Sequence, residues 1–168
     1  HAYPVLRRLV SETSETAIVV RRIGLASVCL HAIEPEAPLR ATYQTGSMSP
    51  LYAGAPARVL LAFAPPEVLD EVLATDLDRP TPDPLDAARL RESLSLIVQT
   101  GLATSYGERI PGAVALAAPV FREDGIVGAI AVVGPAFRCD DAWQARAGRG
   151  VHEGAATLDG ALAEDRTL

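Results

Sequence analysis

Few residues in this 168-residue chain could carry acid–base, metal or nucleophilic chemistry, and they are scattered along it. The histidines are His1, His31 and His152, and the cysteines are Cys29 and Cys139. No G-x-S-x-G nucleophile elbow accompanies the histidines, so the sequence offers no recognisable nucleophile for a hydrolytic triad. No H-E-x-x-H pair occurs, and the cysteines form no C-x-x-C pair. The sequence therefore predicts no enzyme, no metal site and no cofactor.

The charge of the chain argues against direct binding to nucleic acid. The formal net charge is −6, no lysine occurs, and the arginines are scattered, with the doublets Arg7-Arg8 and Arg21-Arg22 but no stripe. A domain that binds DNA needs a basic face to neutralise phosphates. No apolar run approaches the ~20 residues that span a bilayer, and no signal peptide is evident. We expect a cytoplasmic protein that makes no contact with a membrane.

Hydrophobic periodicity predicts the element order α-ββ(β)-ααα-βββ-α. A helix opens the chain, with Tyr3, Leu6, Leu9 and Val10 on one stripe. Strands follow over residues 17–22 and 25–33, with a short extended piece over 38–43. Helices are predicted over 53–63, from Pro66 onward and over 85–100, with a linker over 76–84. Strands over 102–106, 113–121 and 126–133 precede a final helix from about residue 140.

The same periodicity predicts which side chains are buried. The helix after Pro66 should bury Val68, Leu69, Val72 and Leu73, and the next helix Leu90, Leu94, Ile97 and Val98. Cys29 lies in a strand pattern and is predicted to be an inert core residue, whereas Cys139 lies in a polar turn and is predicted to be exposed. Short turns between neighbouring strands imply an antiparallel sheet with helices packed on it, a mixed α/β (α+β) class.

Several separated motifs then agree with one family. They are TSETA (13–17), GSMSPLYA (46–53), ARVLLAF (57–63), Gly107-Glu108 followed by Gly112, AAPVF (117–121) and GP (134–135). In this order and spacing they cover nearly the whole chain. The set resembles the C-terminal, effector-binding half of IclR-family bacterial transcription regulators.

The resemblance implies a GAF-like antiparallel sheet flanked by helices, with residues 1–168 forming one effector-binding domain. It also implies an N-terminal winged helix-turn-helix domain, which is absent from this chain and through which alone operator DNA would be reached. Family members work as homodimers or tetramers. Leu25 and Val59 are predicted to be exposed apolar residues, which makes them candidate interface residues. Whether the regulator represses or activates, and which effector it takes, stay open.

By the same resemblance, the effector pocket is expected between one sheet face and a cover formed by residues 46–63. The implied effector-binding residues are Met48, Leu51, Gly54, Ala55, Pro56, Ser105, Ala115, Ala131 and Val133. Strand alternation places Ala131 and Val133 on one face and Val132 on the other.

The chain departs from relatives that sense small carboxylic acids, which place hydroxyl, thiol or carboxylate groups at the sheet positions of this pocket. Here these positions hold Ala115, Ala131 and Val133, and Ser105 is the one polar side chain among the four. Because a buried anion without partners is costly, the sequence predicts a larger, more apolar or aromatic effector. Arg58 also stands where the family usually has lysine.

Structural interpretations compete with functional ones at several positions. Met48 is either a gap-filler or an effector contact, and Leu51 is predicted to be core rather than contact. Tyr52 and Tyr106 are predicted to pair their hydroxyl groups within the protein. Glu108 is predicted to cap the turn after Gly107. A GAF-like sensor of a kinase or cyclase, or a dimerisation module, remains the alternative function.

Overall fold

The computed structural model describes residues 1–75 and 86–165, and the predicted linker over 76–84 lies outside them. In chain order the elements are α1 (Ala2–Thr13), β1 (Thr16–Ile23), β2 (Ala26–Ile33), β3 (Met48–Pro50), α2 (Ala55–Ala62), α3 (Pro66–Ala74), α4 (Ala87–Thr100), β4 (Ala103–Tyr106), β5 (Ala113–Arg122), β6 (Gly125–Pro135), a 3-10 turn (Ala136–Arg138) and α5 (Asp141–Glu164).

The strands form one six-stranded sheet in the order β3-β2-β1-β6-β5-β4, and every neighbouring pair is antiparallel. The β5–β6 hairpin closes with a two-residue turn, because Arg122 pairs with Gly125. Gly125 has φ +119°, a conformation that glycine adopts without steric cost. The predicted mixed α/β class, with an antiparallel sheet flanked by helices, is confirmed.

Strand alternation gives the sheet two apolar faces. The α1/α5 face packs against the first and last helices and carries Ala17, Val19, Leu116, Ile130 and Val132. The α2 face packs against α2 and α4 and carries Ile18, Val20, Ala115, Ala131 and Val133. Ala131 and Val133 therefore share a face, as predicted.

The α1/α5 face is tightly packed because α5 contains glycines where it crosses its neighbours. A Cβ atom placed at Gly154 would lie 3.0 Å from Val5 Cγ1 and 3.2 Å from Ile130 Cδ1. The Trp143 indole N–H donates a 2.9 Å hydrogen bond to the Thr13 carbonyl and joins the start of α5 to the end of α1. Where α5 crosses α1 and the sheet at Gly154, the α1/α5 face is therefore closely packed.

The third strand is not where the sequence analysis expected it. The strand is β3 (Met48–Pro50), and residues 38–43 form none. Gly46, with φ +85°, directs the chain back so that Ser49 pairs with Ser27 on β2. The segment 38–43 begins at Pro38, which has no N–H to donate to a neighbouring strand. The segment is instead held by the Thr16 hydroxyl, which donates a hydrogen bond to the Ala41 carbonyl.

Four burial expectations are also wrong. Tyr3 and Val98 are exposed, since the buried stripes of α1 and α4 centre on the neighbouring helical positions. Val59 is fully buried because α2 lies between the sheet and α4 and is buried on all sides. Cys139 is buried beside Glu15, within 3 Å of the position a Cβ at Gly134 would take.

Among the described residues, the helices are all too short or too polar to cross a bilayer.

Candidate functional site

A hollow lies on the α2 face of the sheet, under the segment 46–57 and beside the loop that follows β4. Its space is about 490 Å³ when the open mouth is counted, and the enclosed part is much smaller. The mouth is marked by half-buried residues, whereas the interior lining is buried. The half-buried lining residues are Tyr43, Ser47, Gly107, Arg109, Ile110 and Ala113.

The floor of the hollow exists because β5 presents small side chains there. Ala113 and Ala115 alternate onto this face, and Ile18, Val20 and Val133 surround them. Ala115 pairs with Val133 on β6 and with Ser105 on β4. Alanine at the centre of a sheet leaves the volume that a larger side chain would fill.

The cover is attached to the opposite wall at the start of α2. The Gly54 N–H donates to Glu108 Oε2 and the Ala55 N–H donates to Ser105 Oγ, each at 3.0 Å. Gly54 has φ +91°, which strains any other residue. The Glu108 carboxylate therefore lies where the partial positive charge of the helix N-terminus favours an anion.

A buried ion pair strengthens this attachment. Arg58 donates to Glu108 Oε1 at 2.8 Å and to Oε2 at 3.1 Å, and their side chains are 4% and 8% exposed. The same guanidinium donates to Ser93 Oγ on α4 and to the Thr104 carbonyl on β4. Arg58 thus joins α2, α4, β4 and the loop after β4 in one network, and its charge is fully neutralised.

Thiol and hydroxyl groups from β2 and β3 form one wall. Ser27 and Cys29 point inward from β2, and Ser49 points inward from β3. The Ser27 hydroxyl donates to the Ser49 carbonyl at 3.4 Å, and Cys29 Sγ lies 3.5 Å from the His31 carbonyl. Burial raises the pKa of the Cys29 thiol, against the opposing effect of the nearby Arg109. The thiol is therefore held in its neutral form.

Arg109 and Tyr43 stand together at the mouth. The Arg109 guanidinium carbon lies 4.8 Å from the centre of the Tyr43 ring, in cation–π contact. Burial raises the pKa of the Tyr43 hydroxyl, although the adjacent guanidinium acts in the opposite direction. Within residues 1–75 and 86–165, no carboxylate lies within ion-pair distance of Arg109.

The structure brings together five of the nine residues implied by the resemblance: Gly54, Pro56, Ser105, Ala115 and Val133 all line the hollow. Ala55 is buried beside them and contributes its N–H to the Ser105 hydroxyl.

The other three do not line it. Met48 is 62% exposed, because alternation along β3 turns its neighbour Ser49 inward instead. Leu51 is fully buried in the core, as predicted, and Ala131 is buried on the same face beyond the hollow.

Glu108 has a larger role than the predicted turn cap, and Tyr106 behaves as predicted. Backbone bonds close the loop after Gly107, with the Gly107 N–H donating to the Ala113 carbonyl at 2.8 Å. The Glu108 carboxylate is the buried partner of Arg58. The Tyr106 hydroxyl pairs within the protein as predicted, 2.6 Å from Gln144 Oε1 on α5.

The polar wall and the mouth of the hollow were not predicted from the sequence. Ser27 and Cys29 could have been found by extending strand alternation to β2. Ser49 depended on β3, which was placed elsewhere. Tyr43 and Arg109 lie in loops with no periodicity, and no local signal brings them together. The expectation that Ser105 is the one polar side chain holds for the four sheet positions but not for the hollow as a whole.

Comparisons with known proteins agree with this architecture. Residues 1–159 match the family model described as bacterial transcriptional regulator IclR C-terminal. The chain is 38% identical over 122 residues to the HTH-type transcriptional regulator BhcR of Paracoccus denitrificans, and 32% identical over 125 residues to KipR of Bacillus subtilis. These alignments cover 71% and 73% of this chain but 44% and 50% of the relatives. The chain therefore spans about half the length of the curated relatives it matches.

A solved structure has the same fold. An IclR homolog from Microbacterium hydrocarbonoxydans, crystallised with 4-hydroxybenzoate, superposes with a TM-score of 0.86 at 22% identity. The superposition covers 95% of this chain and 65% of that one.

Proposed function

Because the chain belongs to the IclR family of bacterial transcriptional regulators, we propose that it is the effector-sensing part of such a regulator. A small organic molecule occupies the hollow under the α2 cover, and its binding changes how the whole protein addresses DNA. The relatives are named as transcriptional regulators, which favours sensing over catalysis. We expect the whole protein to be cytoplasmic and to act as a homodimer or tetramer.

The hollow is the single observation that carries this proposal. It combines a small-residue floor, a polar wall and a mouth open to solvent, as ligand sites do. Within this domain we assign effector contacts to Gly54, Pro56, Ser105, Ala115 and Val133. Ala55 acts through its N–H, while Met48, Leu51 and Ala131 are now less favoured.

Because the enclosed part of the hollow is small, we expect the binding of an organic effector to displace the cover. A ligand shifts a two-state equilibrium only by its differential affinity for the two states. Here the ligand selects the form in which the cover lies further from the sheet. Arg58 connects the cover to α4 and β4, so a displacement of α2 changes the contacts of both elements.

DNA contact is assigned to a part of the protein outside this chain. The chain is acidic, with a net charge of −6, and the relatives are about twice as long as the matched segment. We propose that an N-terminal winged helix-turn-helix domain supplies the basic surface. The effector then changes the binding of operator DNA only through the junction between the two domains.

The effector is expected to have an apolar or aromatic body. Five apolar side chains, Ile18, Val20, Ala113, Ala115 and Val133, form the floor. The burial of their surface against a ligand stabilises the complex by about 25 cal/mol per Å². A protein of the same fold was crystallised with 4-hydroxybenzoate, a molecule of this kind.

A thermal-shift screen of the 168-residue chain tests the proposal. Aromatic acids and alcohols are compared with glyoxylate and pyruvate. A ligand at one hundred times its Kd stabilises by about 2.7 kcal/mol, a shift of about 5 to 10 °C for a domain of this size. Strong stabilisation by glyoxylate or pyruvate alone would contradict an apolar effector. No stabilisation by any organic molecule would favour a dimerisation module.

The full-length protein supplies the second test. A ligand found in the screen should change the affinity of the regulator for its own promoter region in a gel-shift assay. If the complete gene instead carries a kinase or cyclase domain, the regulator assignment is wrong, although the sensing assignment would stand.

A further inference from the structure

We propose that Arg109 selects effectors that carry a negative charge, and that the effector is an organic carboxylate with an apolar body. The carboxylate is held at the mouth by Arg109, while the apolar part points toward the floor. The inference rests on the proposed function, since it assumes that the hollow is the effector site, and it adds the charge, the orientation and the residue that recognises them.

The first step is the balance of charges around the hollow. Two ionisable side chains with full charges line it, Glu108 and Arg109. Glu108 is neutralised by the two hydrogen bonds from Arg58 and also accepts the Gly54 N–H. Arg109 has no carboxylate within ion-pair distance in the described part of the chain. Among the described residues, the hollow is therefore left with one positive charge that has no carboxylate partner.

The second step is that three interior polar side chains, Ser27, Cys29 and Ser105, already have partners. Ser105 accepts the Ala55 N–H, Ser27 donates to the Ser49 carbonyl, and the Cys29 thiol faces the His31 carbonyl. The N-terminus of α2, which would otherwise attract an anion, is occupied by the Glu108 carboxylate. An anionic group inside the hollow would displace these contacts, so its favoured position is the mouth.

The third step is the geometry of Arg109 itself. Its guanidinium stacks on the ring of Tyr43 and is half-buried, so it is both oriented and partly removed from water. Its Cβ lies 3.7 Å from the position that a Cβ at Gly54 would take, which places the residue directly against the cover. A planar guanidinium matches a planar carboxylate through two parallel hydrogen bonds.

The charge of the rest of the domain makes this local cation necessary. A net charge of −6 repels an approaching anion. A single guanidinium at the entrance offsets this repulsion where the ligand enters. Binding of the anion should consequently weaken as salt screens the attraction.

The experiment compares matched ligands by isothermal titration calorimetry. The probes are benzoate, phenylacetate and 3-phenylpropionate, each paired with its uncharged primary amide of nearly the same shape. In the unmodified chain, at least one carboxylate is expected to bind about tenfold to one hundredfold tighter than its amide, the usual range for a charge-assisted hydrogen bond. In Arg109→Gln that ratio should fall to about one.

Arg91→Gln is the matched control, because Arg91 is exposed on α4 and does not line the hollow. It should leave the carboxylate-to-amide ratio unchanged, and melting curves should show that both variants are folded. The ratio, unlike the affinity alone, would not move if Arg109 merely supported the local structure.

The outcomes separate the two proposals. Amides that bind as tightly as their acids, or a ratio that survives Arg109→Gln, would overturn the charge inference and leave the effector site standing. If the acids and amides all fail to bind while uncharged molecules from the thermal-shift screen do bind, the inference is again wrong and the proposed function holds. If nothing organic binds in either assay, both fail.

Discussion

The two faces of the sheet are made by the same strands yet differ in how they are filled. On the α1/α5 face, Leu116, Ile130 and Val132 meet helices that approach closely because α5 carries glycines. On the α2 face, the alternate positions hold Ala115 and Ala131, and a hollow remains under the cover. On the α1/α5 face, large strand side chains pack against the glycines of α5 and fill the space. On the α2 face, small strand side chains leave space under the cover. Side-chain size at alternate positions thus separates a filled face from the face that carries the candidate site.

The largest expected effect concerns the ion pair that attaches the cover of the α2 face. Arg58→Met keeps most of the side-chain volume but leaves the Glu108 carboxylate buried without its cation. The loss should be about 3 to 5 kcal/mol in the free energy of unfolding, measured by urea denaturation. Arg40→Met is the control, because Arg40 and Glu34 form an exposed pair worth about 0 to 1 kcal/mol. Similar losses in the two variants would contradict the structural role assigned to Arg58.

A second prediction compares the same truncation on each face. Ile130 and Ile18 are both fully buried, but Ile130 packs against α5 and Ile18 borders the hollow. Ile130→Ala should cost about 2 to 5 kcal/mol, and Ile18→Ala should cost less because fewer atoms surround its side chain. Chemical denaturation of both variants gives the comparison. An equal or larger loss for Ile18→Ala would mean that the α2 face is as solid as the other.

The third prediction adds atoms instead of removing them. Ala115→Val places two carbons in the hollow and should change the free energy of unfolding by no more than about 1 kcal/mol. It should nevertheless abolish the thermal shift given by any effector found in the screen. An unaltered thermal shift would place the effector elsewhere.

On the α1/α5 face, an added methyl group should be unfavourable. Gly154→Ala should be about 1 kcal/mol less stable than Gly160→Ala, because the new Cβ meets Val5 and Ile130 whereas nothing lies within 4 Å of Gly160. Both positions are in α5, so helix propensity cancels in the comparison. Equal melting temperatures for the two variants would show that this face can relax.

The smallest effect is chemical and leaves stability unchanged. Burial raises the pKa of Cys139 to about 12, so its thiol is protonated at pH 8 and reacts slowly. Cys29 borders the hollow, and iodoacetamide should modify it several-fold faster than Cys139, as measured by mass spectrometry. Ala115→Val should slow Cys29 alone. Faster modification of Cys139 would show that its side of the domain opens first.

Fold and site differ in how far the sequence predicts them. The helices, most strands and their order followed from periodicity, because burial of one stripe or one face is a local pattern. The strand at Met48–Pro50 was missed because a three-residue strand has almost no periodicity and depends on pairing with β2. The exposure of Met48 followed from the same error, since alternation from the true register turns Ser49 inward.

Residues of the candidate site that lie in or near the family motifs were predicted, and those in the loops between motifs were not. Gly54, Pro56, Ser105, Ala115 and Val133 were named from the resemblance, and they line one hollow. Tyr43 and Arg109 lie 66 positions apart in loops, and only the packed chain brings the ring and the guanidinium together. Glu108 was expected to act locally, and its real partner, 50 positions away, is Arg58.

The amino-acid sequence alone determined the family, the mixed α/β class and the face on which each regular strand residue lies. These depend on periodicity and on the order of motifs, which are properties of neighbouring residues. Only the tertiary structure decided where the charges are neutralised: Arg58 is paired inside the protein and Arg109 is left at the mouth. That difference arises because pairing energies depend on distances in space and on burial, which the order of residues along the chain does not contain.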